Sequence, residues 1–268
     1  MQFLAVQHEL DFVGILVAEG VGSPVPYLHD AGAVLAFGER SFKVNIVQGV
    51  VGRPIKAAEM ASETHGAKVL VLPLLPFGPA GEHTGFPGTI SLSFKTWSSV
   101  VIEILENLVR DGFKRIVVVK GCGGHMGIEG PIYEFFCRQK RRGTDLDIRI
   151  FGEQAWQEIG KLASQSPIGH PDEVHAGGVE TSMVLAKTPD LVRLDRLRKP
   201  GKTSKPYHWC WWVAEGISDT GATGDPTRYD VELGKRICQR MDEILCDFLG
   251  EMWKAHWAQS PSPPSTGA

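Results

Sequence analysis

The chain of 268 residues has few cysteines, little net charge and no long apolar run. Its five cysteines are odd in number and form no Cys-x-x-Cys pair, which favours a reducing cytoplasm over a disulfide framework or a structural zinc site. A net charge of −3 offers no basic footprint for nucleic acid. No apolar stretch approaches the roughly 20 residues that span a bilayer, and the N-terminus lacks the pattern of a signal peptide. We therefore expect a cytoplasmic protein with neither nucleic-acid nor membrane partners.

What the chain does have is an alternation of short apolar strands with amphipathic helices. Strands are predicted at residues 12–17, 31–37, 43–51, 68–72, 116–119 and 147–151. Helices are predicted at residues 53–61, 94–110, 128–142, 153–163 and 228–249. This order predicts an α/β fold, a single domain over residues 1–250 with a central, mostly parallel sheet flanked by helices. The Ser- and Pro-rich end, residues 251–268, is predicted to be a disordered tail.

A strand that runs into a glycine-rich turn is the most distinctive local feature. The β-branched run at residues 116–119 is typical of a strand buried on both faces, and Gly123 and Gly124 allow another group to approach closely. Cys122 and His125 lie in the same turn, at the carboxyl end of a strand, where open α/β folds build their sites. A thiolate is a nucleophile, and a nearby imidazole or helix N-terminus lowers a thiol pKa. The alternative is a tight turn in which Cys122 is a small buried residue.

Two other segments place an imidazole close to a carboxylate. Glu82 and His83 lie in a glycine- and proline-rich loop after a predicted strand, although a solvated surface loop would have the same composition. His175 precedes two glycines, and Glu180 lies at the start of the apolar segment that follows. His175 could act as a general acid or base, with Glu180 orienting or anchoring it. The alternative is a helix-capping histidine with a surface glutamate.

Four segments together resemble one known family. They are GEHTGFPGTISL (81–92), DGFKRIVVVKGCGG (111–124), HAGGVETSMVLAKTPDLV (175–192) and TGATGDPTR (220–228). In order and spacing, over roughly residues 31–250, they are similar to the creatininase, or creatinine amidohydrolase, family. The resemblance implies an α/β sandwich-like domain, often a homohexamer, that hydrolyses C–N bonds of small cyclic amides, formamides or a peptide end. It also implies two divalent metal ions that activate water.

The chain departs from the family in the first metal-ligand segment. A gapless match of that segment to residues 38–52 places Ser41 at a glutamate, Lys43 at a histidine and Gly52 at an aspartate. Serine, lysine and glycine cannot replace two carboxylates and an imidazole around a dication, and an ammonium repels it. Residues 1–53 are therefore the divergent part of the domain.

The glycine-rich turn shows the same departure. Cys122 stands where the family has a ligand histidine, and Lys120 and His125 stand where it has asparagines. Gly124 replaces an optional glutamate, and Gly178 replaces another that many members carry. The candidate site residues that remain are Glu82, His175 and Glu180. The two regions are independent, which favours genuine divergence of the site over a corrupted reading of the gene.

Three functions remain open. The first is a metal-independent hydrolase or lyase, in which Cys122 is the nucleophile or acid and His125 or His175 is the base. Glu82 and Glu180 would orient these groups, and no cofactor is expected. A small-molecule substrate would be bound by Lys43, His83, Lys120, Gly123 and Gly124. Lys120 or Lys43 would supply positive charge for an oxyanion or a substrate carboxylate.

The second function is a single-metal hydrolase, in which Cys122 holds zinc or manganese together with His125, His83 or Glu180. A thiolate with an imidazole is a zinc-like ligand set. The third is an inert family member that binds a small molecule or only assembles with partners, as a homo-oligomer. The His-Trp-Cys-Trp-Trp run at residues 208–212 fits a wall of the pocket or, as we prefer, a subunit contact.

Overall fold

The structure is a computed structural model that describes residues 13–18, 46–75, 77–83, 86, 89–122, 125, 127–168, 175–201 and 218–255. Its strands are β1 (Val13–Ala18), β2 (Val69–Val71), β3 (Arg115–Lys120) and β4 (Asp147–Phe151). Its α-helices are α1 (Ile46–His65), α2 (Phe94–Arg110), α3 (Glu129–Arg141), α4 (Glu153–Ser164), α5 (Gly178–Lys187) and α6 (Val231–Lys254). Short 3-10 turns lie at Gly81–His83, Pro189–Leu191 and Leu194–Arg196. Among these described helices, none is long and apolar enough to cross a bilayer.

The described strands form one sheet in the order β2-β1-β3-β4. β1 runs antiparallel to both of its neighbours, while β3 and β4 are parallel. It follows that β2, β3 and β4 all point the same way and that β1 runs against them. The predicted α/β class with a mostly parallel sheet and flanking helices is therefore confirmed, and β1 agrees with the strand predicted at residues 12–17.

Helices cover both faces of β3, as its β-branched sequence predicts. Val117 and Val119 belong to a cluster with α1, α4 and α6 that includes Ala57, Ala61, Ala155, Leu245 and Leu249. Ile116 and Val118 belong to a second cluster, with α2 and α3, that includes Trp97, Val101, Leu105, Ile132 and Phe135. The strand that leads into the glycine-rich turn is thus the centre of the described core.

The strand predicted at residues 43–51 is wrong. α1 begins at Ile46 and continues through Pro54, which lies inside the helix and not in its first turn. Farther along α1, Ala57 and Ala61 are fully buried against the sheet. Packing of this helical stripe outweighs the β propensity of the Val-rich sequence before it, because tertiary contacts supply most of the stability of a helix.

The C-terminal boundary also differs from the prediction. α6 continues to Lys254, so residues 251–254 belong to the helix and not to a tail. Met252 is 1% exposed and belongs to the cluster that contains Val117 and Val119, and Trp253 packs against that cluster. These contacts anchor the last turn of the helix. The strand predicted at residues 31–37 lies outside the described residues, as do residues 256–268 of the predicted tail.

α6 approaches α5 closely at one glycine. A side chain on Gly234 would overlap the backbone carbonyl of Ser182 in α5. The hydroxyl of Ser182 donates to the carbonyl of Gly178 (2.5 Å) and accepts the backbone N–H of Asp230 (2.8 Å). The carboxylate of Asp230 in turn accepts two backbone N–H groups in the first turn of α6, at 2.9 and 3.1 Å, and so caps that helix. The start of α6 is therefore bound to the first turns of α5.

A buried carboxylate joins three helices. Asp242 of α6 has a side chain that is 1% exposed, and its Oδ2 lies 3.5 Å from the ammonium of Lys56 in α1. The same oxygen lies 3.6 Å from the ammonium of Lys187 in α5. A buried charge is costly unless it is paired, and here two ammonium groups balance one carboxylate. The arrangement ties α1 and α5 to the middle of α6.

The glycine contact predicts opposite effects of the same substitution in two helices. Gly234→Ala should lower the free energy of unfolding by about 1–3 kcal/mol, because the new methyl group overlaps the Ser182 carbonyl. Gly160→Ala in α4 is the matched control, since its position is open and alanine should raise the free energy of unfolding by up to about 1 kcal/mol. Urea unfolding followed by circular dichroism measures both. Equal effects in the two variants would contradict the close approach of α5 and α6.

Candidate active site

Two histidines from distant parts of the chain stack face to face. The ring centroids of His83 and His175 lie 4.3 Å apart, with an angle of 19° between the ring planes. His83 is buried, whereas His175 is half-buried and is the more exposed member of the pair. The structure thereby joins the two sequence segments that combine an imidazole with a carboxylate.

The turn that carries His175 is strained and is held by hydrogen bonds. Ala176 has a φ of 51°, a left-handed conformation that is uncommon outside glycine. The carboxylate of Glu180 accepts the N–H of Ala176. The carbonyl of His175 accepts the N–H of Thr223 (2.9 Å). Strain of this kind costs about 1–3 kcal/mol and clusters at functional sites, and here Glu180 anchors the turn that bears it.

The packing of Gly178 explains one departure from the family pattern. A side chain at this position, the first of α5, would overlap the backbone carbonyl of Arg228 and crowd that of Asp225. The turn before α6 therefore fills the space that a glutamate would need at position 178. A glutamate at position 178 is therefore incompatible with this packing of α5 against the turn.

The loop at residues 77–83 lies between the His175 turn and the glycine-rich turn. At one end of the loop, the ring of His83 stacks on His175. Near the other end, Gly78 lies so close to the imidazole of His125 that a side chain on the glycine would overlap it. Five residue steps separate Gly78 from His83, a span of at most about 17 Å. All three sequence segments that could carry chemistry therefore converge on one short loop.

His125 is a core residue. Its side chain is fully buried, and its ring centroid lies 4.6 Å from that of Trp97 in α2. Its backbone N–H donates to the carbonyl of Cys122 (3.3 Å), a bond that closes the turn after β3. Cys122 itself is half-buried at the carboxyl end of the strand. The described contacts of His125 are thus those of a residue that supports the turn.

Lys120 is a buried cation at the end of β3. Its side chain is 4% exposed, and its ammonium donates to the carboxylates of Glu129 (2.7 Å) and Glu153 (3.1 Å). Burial lowers the pKa of Lys120, but the two carboxylates outweigh burial and raise that pKa above its ordinary value. Burial likewise raises the pKa of Glu129, but the bond from Lys120 outweighs it and holds that pKa below its ordinary value. The ammonium predicted to face the substrate is directed into the protein instead.

Several predicted site residues are not described by the structure. They are Lys43, Gly123, Gly124 and the aromatic run at residues 208–212. Glu82 is described only by its backbone, in the 3-10 turn Gly81–His83. The strained Ala176 and the partners of Lys120 are not predicted from the sequence. Glu129 lies in the first turn of α3 and Glu153 in the first turn of α4. An acidic residue at each helix start is the sequence signal that could have indicated these partners.

The fold and the site together define the class of protein. It is an α/β domain with helices on both faces of its sheet and a histidine-centred site on loops that converge beside the sheet. The chain belongs to the creatininase family, because the family model described as creatinine amidohydrolase matches residues 44–249. The match includes the loop at residues 77–83, the glycine-rich turn and the His175 turn. The family indicated by the four sequence segments is therefore confirmed.

Two curated relatives match part of the chain. The mycofactocin precursor peptide peptidase of Mycobacterium tuberculosis is 30% identical over 175 residues, which make up 64% of this chain and 62% of the relative. The creatinine amidohydrolase of Pseudomonas putida is 32% identical over 168 residues, which make up 58% of this chain and 63% of the relative. The chain thus spans just under two thirds of the length of each relative.

Solved structures share the fold. A Bacteroides fragilis protein assigned as a creatinine amidohydrolase superimposes with a TM-score of 0.66 at 22% identity, over 76% of this chain and 80% of that chain. At that identity the likeness shows the fold alone. A Zn–Zn form of a creatininase variant gives a TM-score of 0.61 at 28% identity, over 75% of this chain and 82% of that chain. A manganese form of creatininase gives 0.63 at 25% identity, over the same shares.

The ion pair between Lys120 and Glu129 predicts how the stability of the fold depends on pH. Because the folded-state pKa of Glu129 is lowered, its carboxylate stabilises the fold above its ordinary pKa of 4.5. That contribution disappears as the pH falls through the folded-state pKa. Glu129→Gln should therefore be less stable than the wild type at neutral pH and should lose less stability on acidification. Urea unfolding midpoints measured at neutral pH and well below the ordinary pKa of Glu129 test this.

Glu134→Gln is the control for the acid experiment. Glu134 is an exposed glutamate on the same helix, so its variant should keep the wild-type dependence of stability on pH. A pH profile of Glu129→Gln that runs parallel to that of the wild type would contradict a stabilising pair between Glu129 and Lys120.

Proposed function

We propose that the chain is a creatininase-family hydrolase that cleaves a carbon–nitrogen bond of a small substrate, such as a cyclic amide or a formamide, without metal ions. The observation that carries the proposal is the stack of His83 on His175 beside a strained and firmly held turn. Relatives named as a creatinine amidohydrolase and as a precursor peptide peptidase support the reaction class. Because one relative is a peptidase, the end of a peptide is a further candidate substrate.

The residues present do not fit the pair of divalent ions that the family implies. Cys122 stands at the position of a ligand histidine, and His125 in the same turn is fully buried against Trp97. The packing of Gly178 leaves no room for a glutamate. The carboxylates that remain are those of Glu82 and Glu180, and Glu180 already accepts the N–H of Ala176. With one thiol and the imidazoles they are too few to balance two dications. The proposed reaction therefore uses this chain's own thiol and imidazole groups.

His175 is the residue that moves protons in this proposal. It is half-buried, whereas His125 is fully buried, so His175 is the imidazole that a substrate can reach. His83 stacks on His175 and supports the plane of its ring, and Glu180 holds the adjoining backbone. A positioned imidazole contributes about 10²–10⁴-fold to the rate through general acid–base catalysis.

Cys122 is the nucleophile in this proposal. Its thiol proton passes to His175 while the sulfur bonds to the carbonyl carbon of the substrate. The carbon–nitrogen bond then breaks, and the leaving nitrogen takes the proton from His175. A water molecule, deprotonated by His175, next attacks the thioester and releases the acid, and the proton returns to the Cys122 sulfur. The cycle consumes one water and involves no change in oxidation state.

A different observation favours a second function. Lys120 and His125, both predicted to act at the substrate, are buried and engaged with two carboxylates and a tryptophan. A family member whose turn residues serve the core could instead be a small-molecule-binding or assembly subunit. Ile90, in the segment before α2, and Phe94, the first residue of α2, are 61% and 39% exposed, which suits a subunit contact in the homohexamer that the family implies.

Substitution of the stacked histidines tests the hydrolase proposal. On a panel of cyclic amides, formamides and short peptides, His175→Asn should lower kcat/KM at least about 100-fold, because the general base is lost. His83→Gln should lower it about tenfold, because the catalytic ring loses its support. Glu134→Gln at an exposed position of α3 should keep full activity.

Thermal unfolding of each variant shows whether the fold is kept. Full activity in a folded His175→Asn protein would contradict the proposal. A wild-type protein that turns over none of the panel, yet binds one of its members, would favour the binding subunit.

Cys122→Ser separates a thiol nucleophile from a directly activated water. The variant should lose at least about 100-fold in rate, because a serine hydroxyl in place of the thiol is a weaker nucleophile. Cys137→Ser in α3, another half-buried free cysteine, is the control and should keep the wild-type rate. Wild-type turnover should persist after treatment with a chelator and dialysis. Activity that chelation removes and added zinc or manganese restores, in a protein that stays folded, would instead support the single-metal hydrolase.

A further inference from the structure

A histidine, a cysteine and an aspartate meet where the end of α1 packs against α6. One imidazole nitrogen of His65, the sulfur of Cys246 and one carboxylate oxygen of Asp247 all lie within 4.8 Å of one another. Nε2 of His65 is 3.5 Å from Oδ1 of Asp247. The proposed hydrolysis uses none of these three side chains, so their convergence needs its own explanation.

We propose that these three residues bind one Zn²⁺ ion, with water or a small anion as the fourth ligand. Thiolate, imidazole and carboxylate are all zinc ligands, at about 2.0–2.3 Å from the ion. Tetrahedral bonds of that length place neighbouring ligand atoms about 3.3–3.8 Å apart. The observed separations, 3.5 Å for one pair and at most 4.8 Å for the others, need to contract by only about 1 Å. A thiol and an imidazole also disfavour Mg²⁺ and Ca²⁺, which prefer oxygen ligands.

The helices hold this cluster together without a metal. Gly250, one turn after Cys246, packs so closely on the imidazole of His65 that a side chain there would overlap the ring. Nε2 of His65 is buried and makes no hydrogen bond among the described residues, so it faces Asp247 with its lone pair or proton unused. The sulfur of Cys246 would bind Zn²⁺ as a thiolate, with release of the thiol proton.

Lys254 forms a hydrogen bond with the other ring nitrogen of His65, Nδ1. Its ammonium lies 3.2 Å from Nδ1 of His65 and donates to it, which leaves the proton of a neutral imidazole on Nε2. Zn²⁺ must displace that proton and weaken the bond to Lys254. Because an ammonium also repels a dication, Lys254 opposes the metal twice, and removal of its charge should tighten zinc binding.

One edge of the cluster, at Asp247, is open to solvent, whereas the Cys246 side chain and Nε2 of His65 are buried. His65 lines a surface groove of about 450 Å³ together with Arg115, Trp253, Lys254 and Ala255. The side chain of Asp247 is 67% exposed. An ion can therefore enter without unfolding α1 or α6, and the positive charges of Arg115 and Lys254 favour an anion as the fourth ligand.

Titration of the full chain with zinc chloride tests the site. After chelation and dialysis, calorimetry should show one equivalent of zinc bound per chain, and zinc should raise the unfolding temperature. Asp247→Asn, at an exposed position that should not disturb the fold, should weaken the zinc affinity at least about tenfold. Lys254→Gln should tighten it. Unchanged zinc affinity in the Asp247→Asn protein, or weaker binding by Lys254→Gln, would overturn the proposal.

Cobalt(II) identifies the cysteine that binds the metal. A thiolate-to-cobalt charge-transfer band in the near ultraviolet should appear in the wild type and in Cys122→Ser, and should be absent from Cys246→Ser. A band that survives in Cys246→Ser, or that vanishes in Cys122→Ser, would place the ion at the glycine-rich turn and overturn the proposal. These measurements do not depend on turnover, so failure of the proposed hydrolase function and failure of the zinc site are separate results.

Discussion

The close approach of α6 to α5 is the constraint on which the histidine site depends. Gly234 lies against the carbonyl of Ser182, and Gly178 lies against the turn before α6, so neither position has room for a side chain. The hydroxyl of Ser182 also joins the first turn of α5 to the N-cap of α6. α5 therefore begins at one fixed place, and His175, three residues earlier, is set against His83. Backbone packing between two helices thus determines how the two rings meet.

Charge fixes the other side of the site. Lys120 ends β3 and donates to Glu129 and Glu153, which lie in the first turns of α3 and α4. A carboxylate in the first turn is favourable for its helix dipole, so each glutamate stabilises its own helix while it balances the buried ammonium. One side chain therefore anchors the end of the strand, two residues before Cys122, to two helices. Lys120, which the family resemblance places at an asparagine, serves this chain as a structural cation.

Elements with a local pattern could be predicted from the sequence, whereas contacts between distant segments could not. β3 follows from a β-branched run and α2 from an apolar stripe of helical period, and both lie where they are predicted. Of α1 only a part is predicted, as the helix at residues 53–61, because its Val-rich start has β propensity and becomes helical only through the packing of the buried alanines that follow it. The family resemblance pointed to both His83 and His175, but their contact depends on packing. The cluster of His65, Cys246 and Asp247 joins segments that are distant in sequence and has no spacing motif to reveal it.

α6 links the two proposed sites and affects how any metal dependence should be understood. Gly234 and Gly250 are sixteen residues apart, or about 24 Å along a helix. The first glycine contact positions the His175 turn, and the second positions the His65 cluster. Zinc at His65 would therefore act at a distance from the stacked histidines, by joining α1 to the helix that holds them in place. Its removal could lower activity by loosening α6, with a parallel fall in unfolding temperature. A catalytic metal would instead change kcat in a protein that stays folded, so rate and stability must be measured together to assign the role of any ion.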